Sequence, residues 1–226
     1  MGLLEVTGTL DPKQFWPSGS ADGDTAHVRV VRVTFNGKAT HAFHGAHVRG
    51  RIQKGVIDPH GGITVRLQGI DAPELHYMPL VAKAKAKRPT AEFRQHYGRL
   101  AVERLGGFLK TLGAGLIACR VVTQVEKPNE VFDTYGRLVG DLIVRDQRGR
   151  ETVINWWMAR QGWAFPAFYT SMSEEEIRHF QTAAASAERK RRGIWAGYAA
   201  KLSFDGALRY GVGGHQVPRI FGEVHR

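Results

Sequence analysis

Five short stretches of the chain are rich in β-branched and aliphatic residues, and in the clearest of them apolar and polar positions alternate. This period of two is typical of β-strands that bury one face. The five predicted strands cover residues 3–10, 27–35, 63–70, 116–126 and 138–144. Asn36-Gly37 follows the second stretch directly, and this dipeptide is a strong signal for a hairpin turn.

Three other segments repeat apolar residues every three or four positions, which is typical of helices with one buried face. Their predicted bounds are Thr90 to about Leu109, Ile154 to Gln161, and Ser173 to about Arg192. Gly162 is placed to end the second helix. In the third, Ser173 and Glu176 form a capping box and Gly193 is expected at the C′ position. Several antiparallel strands closed by helices predict an α+β fold with a small barrel.

The charge balance of the chain points to a class of partner. The 226 residues contain 32 Lys and Arg against 21 Asp and Glu, a formal net charge of +11. Such an excess favours a polyanionic partner, most often nucleic acid, although it can also serve solubility alone. We expect a monomeric protein.

The expected cellular compartment rests on three features that this sequence does not contain: a cysteine pair, a signal-peptide pattern and a long apolar run. Cys119 is the single cysteine, so no intrachain disulfide can form, and we interpret it as an unreactive core thiol. The N-terminus has no signal-peptide pattern, and no run of about 18 apolar residues is present to span a membrane. We expect a cytoplasmic protein, or alternatively a secreted one whose signal peptide is absent from this sequence.

Two acidic clusters lie at predicted strand ends. Asp22-Gly23-Asp24-Thr25 leads into a strand, and Asp71-Ala72-Pro73-Glu74 follows one. Carboxylate oxygens suit Ca²⁺ or Mg²⁺, and no Cys/His spacing for zinc is present. Taken alone, each cluster is more simply explained as a turn. Arg66 precedes Asp71 by five residues, which puts the two on opposite faces unless the strand ends or bulges between them.

A second arginine, Arg137, lies in the glycine-containing turn Asp133-Thr134-Tyr135-Gly136-Arg137. Two arginines, two aspartates that can bind a metal and a separate glutamate form a set suited to phosphodiester hydrolysis. The metal and the arginines neutralise charge that develops on phosphorus, and the glutamate deprotonates water.

Taken together, these motifs resemble the thermonuclease family, whose prototype is staphylococcal nuclease. They occur in the order found in that family, and the resemblance extends over residues 3–196. The resemblance implies one domain over residues 1–196, with insertions at about 36–60 and 76–90, followed by a C-terminal extension over 197–226. The matching stretches are residues 22–25, 65–74, 133–138 and 155–162, with a final helix that ends in Arg191-Arg192-Gly193-Ile194-Trp195. The resemblance implies an OB-fold, a five-stranded β-barrel with three helices, and a calcium-dependent nuclease acting on DNA and RNA that leaves 3′-phosphorylated products.

The resemblance also implies a role for each matching residue. Arg66, Glu74 and Arg137 are the catalytic candidates, with Glu74 as general base and the arginines on the scissile phosphate. Metal binding falls to Asp24, Asp71 and the backbone carbonyl of Ala72, with Asp22 acting through water. Substrate binding falls to Tyr135, to Phe168 and Tyr169, and to Lys83, Lys85 and Lys87 of a basic run that ends at Arg88.

Several other sequence features can be explained without a functional role. His41, His44 and His47 suggest a transition-metal site, but scattered histidines in a glycine-rich loop are usually solvated. The basic run can equally be a solvated loop. Trp156, Trp157 and Trp163 fit helix packing better than base stacking. The alternative function is an inactive nucleic-acid-binding or scaffold module. The enzyme is favoured because the carboxylates and both arginines are all present.

Overall fold

In the computed structural model the chain forms two compact units. The first contains Met1–Gly19, Thr25–Gln68 and Phe108–Asn155, and the second contains Ser20–Asp24, Gly69–Gly107 and Trp156–Arg226. The structure describes residues 1–15, 22–40, 46–48, 51–53, 57–58, 60–75, 97–169, 172–198 and 224–225. The domain boundary expected after residue 196 stays a prediction.

The first unit is a closed barrel of five strands. They are β1 (Gly2–Leu10), β2 (Thr25–Phe35), β6 (Gly62–Leu67), β8 (Ile117–Val125) and β9 (Leu138–Arg145). The order β1-β8-β9-β6-β2 closes because β2 also pairs with β1. All neighbours are antiparallel except β6 and β9, which run parallel. The predicted α+β fold with an OB-like five-stranded barrel is therefore confirmed.

Shorter strands complete the sheets. They are β3 (Lys38–Ala39), β4 (Ala46–Val48), β5 (Arg51–Gln53), β7 (Ile70–Asp71), β10 (Glu151–Val153), β11 (Phe165–Pro166), β12 (Phe168–Tyr169) and β13 (Val224–His225). The predicted Asn36-Gly37 turn is present: it joins β2 to β3, and both residues have positive φ, 49° and 76°. Glycine tolerates that backbone region freely and asparagine tolerates it better than most residues.

The barrel core follows the alternation read from the sequence. On β6, Ile63, Val65 and Leu67 are at most 1% exposed, as their spacing of two predicts. Cys119 of β8 is buried, and burial raises the pKa of its thiol to about 12. Since the thiolate is the reactive form, this cysteine is unreactive at neutral pH, as expected.

Among the described residues there are three helices of eight residues or more. They are α1 (Gly98–Leu112), α2 (Ile154–Gln161) and α3 (Glu174–Arg189), followed by the short α4 (Trp195–Tyr198) and a 3₁₀ turn at Pro128–Glu130. The bounds predicted for α2 are confirmed. The start of α1 near Thr90 falls outside the described residues. No described helix combines the length and apolarity needed to cross a bilayer.

At the third helix, the predicted N-terminal cap is confirmed and the predicted C-terminal cap is wrong. The Ser173 hydroxyl accepts a hydrogen bond from the backbone N–H of Glu176, and the Glu176 carboxylate accepts one from the Ser173 N–H. The prediction that Gly193 occupies C′ is wrong. Arg191 does so with φ 48°, and it donates to the Glu188 carbonyl while Arg192 donates to that of Ala187. This pattern is a Schellman motif, which here forms without glycine.

Asn155, the second residue of α2, joins three backbone segments of the barrel. Its side chain is fully buried and accepts from the N–H of Leu142 at 3.0 Å. Its Nδ2 donates to the carbonyls of Gln68 at 2.8 Å and Gly140 at 3.1 Å. The side chain therefore fixes the end of β6 against β9, next to the point where the chain continues to Asp71.

We expect Asn155→Ala to lower the free energy of unfolding by about 2–4 kcal/mol, because it leaves buried backbone groups without partners. Gln124→Ala, an exposed amide on β8, is the matched control and should change stability by less than about 0.5 kcal/mol. Urea unfolding followed by circular dichroism measures both. A loss no greater than that of the control would contradict the bridging role assigned to Asn155.

Candidate active site

The two acidic clusters found in the sequence lie against each other in the second unit. The Asp24 carboxylate accepts a hydrogen bond from the backbone N–H of Ala72 at 3.1 Å. The Asp22 carboxylate accepts one from the N–H of Leu75 at 2.6 Å. Between them, a Cβ on Gly23 would lie 3.3 Å from the Cβ of Ala72, so glycine allows this close approach. The loop before β2 is therefore held along the segment that contains Asp71 and Glu74.

The donor chemistry of this contact fits a hard divalent cation. Asp24 is 2% exposed, and a carboxylate that is so deeply buried needs countercharge or several hydrogen bonds. The described residues contain no group of three or more His, Cys, Asp or Glu side chains arranged to hold a metal. Calcium and magnesium do not need such a group, because water, backbone carbonyls and substrate oxygens complete their coordination. Asp24, Asp71 and the Ala72 carbonyl are suitable ligands by that criterion.

The end of β6 explains the odd spacing between Arg66 and Asp71. The strand stops at Leu67, the chain turns at Gly69 with φ 78°, and Asp71 lies in β7. There Asp71 pairs with Phe165 of β11 instead of with a barrel strand. Because the two residues lie in different strands, the opposite-face rule for a single strand does not apply to them.

In the first unit, Thr25 lies beside both candidate arginines. Thr25 and Arg66 are directly opposite each other in the antiparallel β2–β6 pair, so their side chains leave the same face. Arg137 donates from Nη1 to the Thr25 hydroxyl at 3.2 Å. Arg66 is only 8% exposed, whereas the Arg137 side chain is 27% exposed. The barrel therefore gathers the two arginines around one threonine.

The turn that carries Arg137 is organised by Asp133. One oxygen of its carboxylate accepts from the backbone N–H groups of Tyr135 and Arg137, both at 2.9 Å. The other accepts from Arg137 Nε at 2.7 Å. Gly136 supplies the positive φ, 83°, that the turn requires. The guanidinium is thus aligned on one edge and keeps N–H donors for a phosphate.

The same turn geometry occurs a second time in the chain, so the geometry alone does not indicate a catalytic role. Asp146 accepts from the backbone N–H of Arg148 and Arg150 and from Arg150 Nε at 2.8 Å, and Gly149 has φ 77°. The Arg150 side chain is 73% exposed. An Asp-x-x-Gly-Arg turn is therefore a local structure. The hydrogen bond to Thr25 distinguishes Arg137.

The three aromatic residues predicted to bind substrate differ in how much of each side chain is exposed to solvent. Tyr135 is 72% exposed and lies beside Arg137, whose guanidinium carbon is 5.4 Å from the ring centroid. Tyr169 is partly buried. Phe168 is 2% exposed, so its ring is far less accessible to a nucleobase than that of Tyr135. Its predicted substrate role stays a prediction.

The tryptophans are partly buried, as expected for helix packing. Trp156 lies 4.1 Å from His179 between ring centroids, and Trp163 lies under the guanidinium of Arg104 at 5.7 Å. The basic run and two of the loop histidines fall outside the described residues; they are Lys83, Lys85, Lys87, Arg88, His41 and His44. The side chain of His47 is also outside the described part of the structure.

Two residues of the site received no role from the sequence, Thr25 and Asp133. Both lie within motifs that the sequence analysis identified. Their contacts, however, could not be predicted from the sequence. Thr25 and Arg137 are 112 residues apart, and only the barrel pairing brings them within hydrogen-bond distance.

The chain belongs to the staphylococcal nuclease homologue family: the model of that family matches residues 64–197, more than half of the sequence. The match includes Arg66, Asp71, Glu74 and Arg137, while Asp22 and Asp24 precede it. The resemblance inferred from the motifs is therefore confirmed.

A curated relative is Endonuclease YhcR of Bacillus subtilis (strain 168), 29% identical over 136 residues. The alignment covers 60% of this chain and 10% of that protein. The chain thus matches a small part of a much longer relative.

Proposed function

We propose that this chain is a calcium-dependent nuclease that hydrolyses phosphodiester bonds of DNA and RNA and leaves 3′-phosphorylated products. Membership of the nuclease family and the name of the endonuclease relative support the reaction class. The net charge of +11 supports a nucleic-acid substrate. Calcium and the position of the phosphate on the product come from the family resemblance.

One observation carries the proposal: the buried Asp24 carboxylate accepts from the backbone of Ala72, within the segment that contains Asp71 and Glu74. Acidic residues beside one another repel a phosphate unless a cation lies between them. A nucleic-acid-binding module without catalysis has no need for such a cluster. A metal-assisted phosphodiesterase requires one.

In the proposed reaction, Glu74 accepts a proton from the water that attacks phosphorus. The bond from phosphorus to the 5′-oxygen breaks, and the 5′-oxygen leaves and takes up a proton from solvent. Arg66 and Arg137 donate hydrogen bonds to the non-bridging oxygens, whose charge grows in the transition state. Tyr135 offers an exposed ring face to the adjoining base. Asp24, Asp71 and the Ala72 carbonyl would hold the calcium ion, which would supply further positive charge next to the phosphate. The proposal requires all of these groups to act on the same phosphodiester.

The test is digestion of single- and double-stranded DNA and RNA with calcium, without it and with a chelator. We expect cleavage only with the metal, and products that a 3′-phosphatase can dephosphorylate. Cleavage that persists in chelator would contradict the metal requirement. Binding without cleavage under every condition would favour the scaffold alternative.

A separate prediction concerns the metal ligand. Asp24→Asn should weaken calcium binding at least about tenfold, since it removes one of the few charged ligands while keeping the shape of the side chain. Isothermal titration calorimetry measures the affinity. Glu126→Gln removes an exposed carboxylate outside the site and serves as control. Equal affinities for the two variants would mean that Asp24 is not a ligand.

A further inference from the structure

A cavity of about 520 Å³ opens on the barrel unit, and no step of the proposed reaction uses it. Its lining includes Asp11, Gln14, His27, Arg29 and His60, together with small and apolar residues. Ligand sites of this kind commonly measure about 300–1,000 Å³ and combine a few polar groups with an apolar wall. The cavity is therefore large enough for one nucleotide unit.

The cavity lies on the same face of β2 as the two candidate arginines. Ala26 and Val28 are buried in the barrel at 1% and 0% exposure, so the alternating residues Thr25, His27 and Arg29 point away from the core. Thr25 is the residue beside Arg66 and Arg137. At roughly 3.3 Å per residue, Arg29 lies about 13 Å further along the strand.

That distance corresponds to a short run of nucleic acid. A stacked strand rises about 3.4 Å per nucleotide, so about four nucleotides span the interval from Thr25 to Arg29. A strand whose phosphate lies at Arg137 can therefore reach the cavity without bending away from β2.

The carboxylates near the cavity are already engaged by the backbone. Asp58 accepts from the N–H groups of His60 at 2.7 Å and Gly62 at 2.9 Å, and lies 3.5 Å from His27 Nε2. Those hydrogen bonds, with the Gly62 contribution the largest, hold the pKa of Asp58 below its usual range. The Asp11 carboxylate accepts from the N–H of Lys13 at 2.8 Å.

Arg29 forms no ion pair with a described residue, so its guanidinium remains available for a phosphate. The side chains of Gln14 and His60 add hydrogen-bonding groups of the kind that bind base edges. Beside the Asp11 carboxylate, the lining thus provides a cation for the backbone of a nucleotide and polar groups for its base.

We propose that this cavity binds a nucleotide of the substrate strand about four positions from the cleaved bond, with a phosphate on Arg29. This inference rests on the proposed function, because it extends the substrate path from Arg137. It predicts that affinity rises with oligonucleotide length once the strand reaches the cavity.

The experiment measures binding of fluorescein-labelled oligothymidylates by anisotropy, with calcium, in a Glu74→Gln background so that cleavage is slow compared with the measurement. Without further substitution, an octanucleotide should bind markedly tighter than a dinucleotide. Arg29→Gln should reduce this length advantage about tenfold, as expected for a lost charged hydrogen bond. It should also lower the salt slope of octanucleotide binding by about 0.7.

Arg32→Gln is the matched control, since Arg32 is exposed on the same strand but does not line the cavity. It should keep both the length advantage and the salt slope. The proposed subsite would be wrong if Arg29→Gln and Arg32→Gln changed the length advantage and the salt slope equally. It would also be wrong if the chain without either substitution bound the octanucleotide no more tightly than the dinucleotide. Cleavage by the wild-type chain tests the proposed function separately, because the binding measurement does not depend on turnover.

Discussion

Glu74→Gln is expected to lower kcat by about 10² to 10⁴, the usual effect of removing a general base. Glutamine keeps the size and hydrogen bonding of the side chain but cannot accept the proton of the attacking water. Several backbone contacts in this segment do not involve that carboxyl. Neighbouring N–H groups donate to Asp24 and Asp22, and a Cβ on Gly98 would lie 2.7 Å from the Glu74 carbonyl oxygen. The variant should therefore fold.

The measurement is kcat on single-stranded DNA with saturating calcium. Glu103→Gln is the control, because Glu103 pairs with Arg99 at 2.6 Å on the exposed side of α1 and such surface pairs contribute little to stability. Its turnover should match that of the wild type. Near wild-type turnover in folded Glu74→Gln would show that another group takes the proton.

Much of the fold could be predicted because its determinants are local. Ile63, Val65 and Leu67 repeat with the period of a strand, and they fill the barrel core. Ser173 and Glu176 lie three residues apart and cap their helix directly. The C-terminus of the same helix was predicted less well. The αL position falls on Arg191 although Gly193 is available two residues later, because the hydrogen bonds to Ala187 and Glu188 decide where the helix ends.

The site could be predicted as a set of motifs but not as a set of contacts. Asp133 and Asp146 each organise a turn with the same local geometry, and the hydrogen bonds within the turns do not distinguish the candidate Arg137 from Arg150. The difference is a hydrogen bond from Arg137 to Thr25, made across the sheet. Likewise, Asn155 was part of a motif, yet its three buried backbone partners lie on segments distant in sequence. Pairwise contacts of this kind depend on the assembled barrel.

Arg137→Lys is expected to lower kcat by about 10² to 10³, comparable to the loss of a preorganised oxyanion donor. The guanidinium donates from Nε to Asp133 and from Nη1 to Thr25, and the rest of its five N–H groups remain for phosphate oxygens. A lysine ammonium has three donors on a flexible stem and cannot reproduce this planar fork. Because phosphate charge is greatest in the transition state, kcat should fall by a larger factor than KM rises.

The repeated turn provides the control for this substitution. Arg150→Lys changes the same residue type in the same Asp-centred geometry, but at a side chain that is 73% exposed and has no threonine partner among the described residues. Both turns keep their backbone hydrogen bonds to aspartate, so both variants should fold. With kcat and KM measured on one single-stranded DNA substrate, Arg150→Lys should resemble the wild type. Equal turnover in the two variants would mean that Arg137 has only the structural role that its counterpart has.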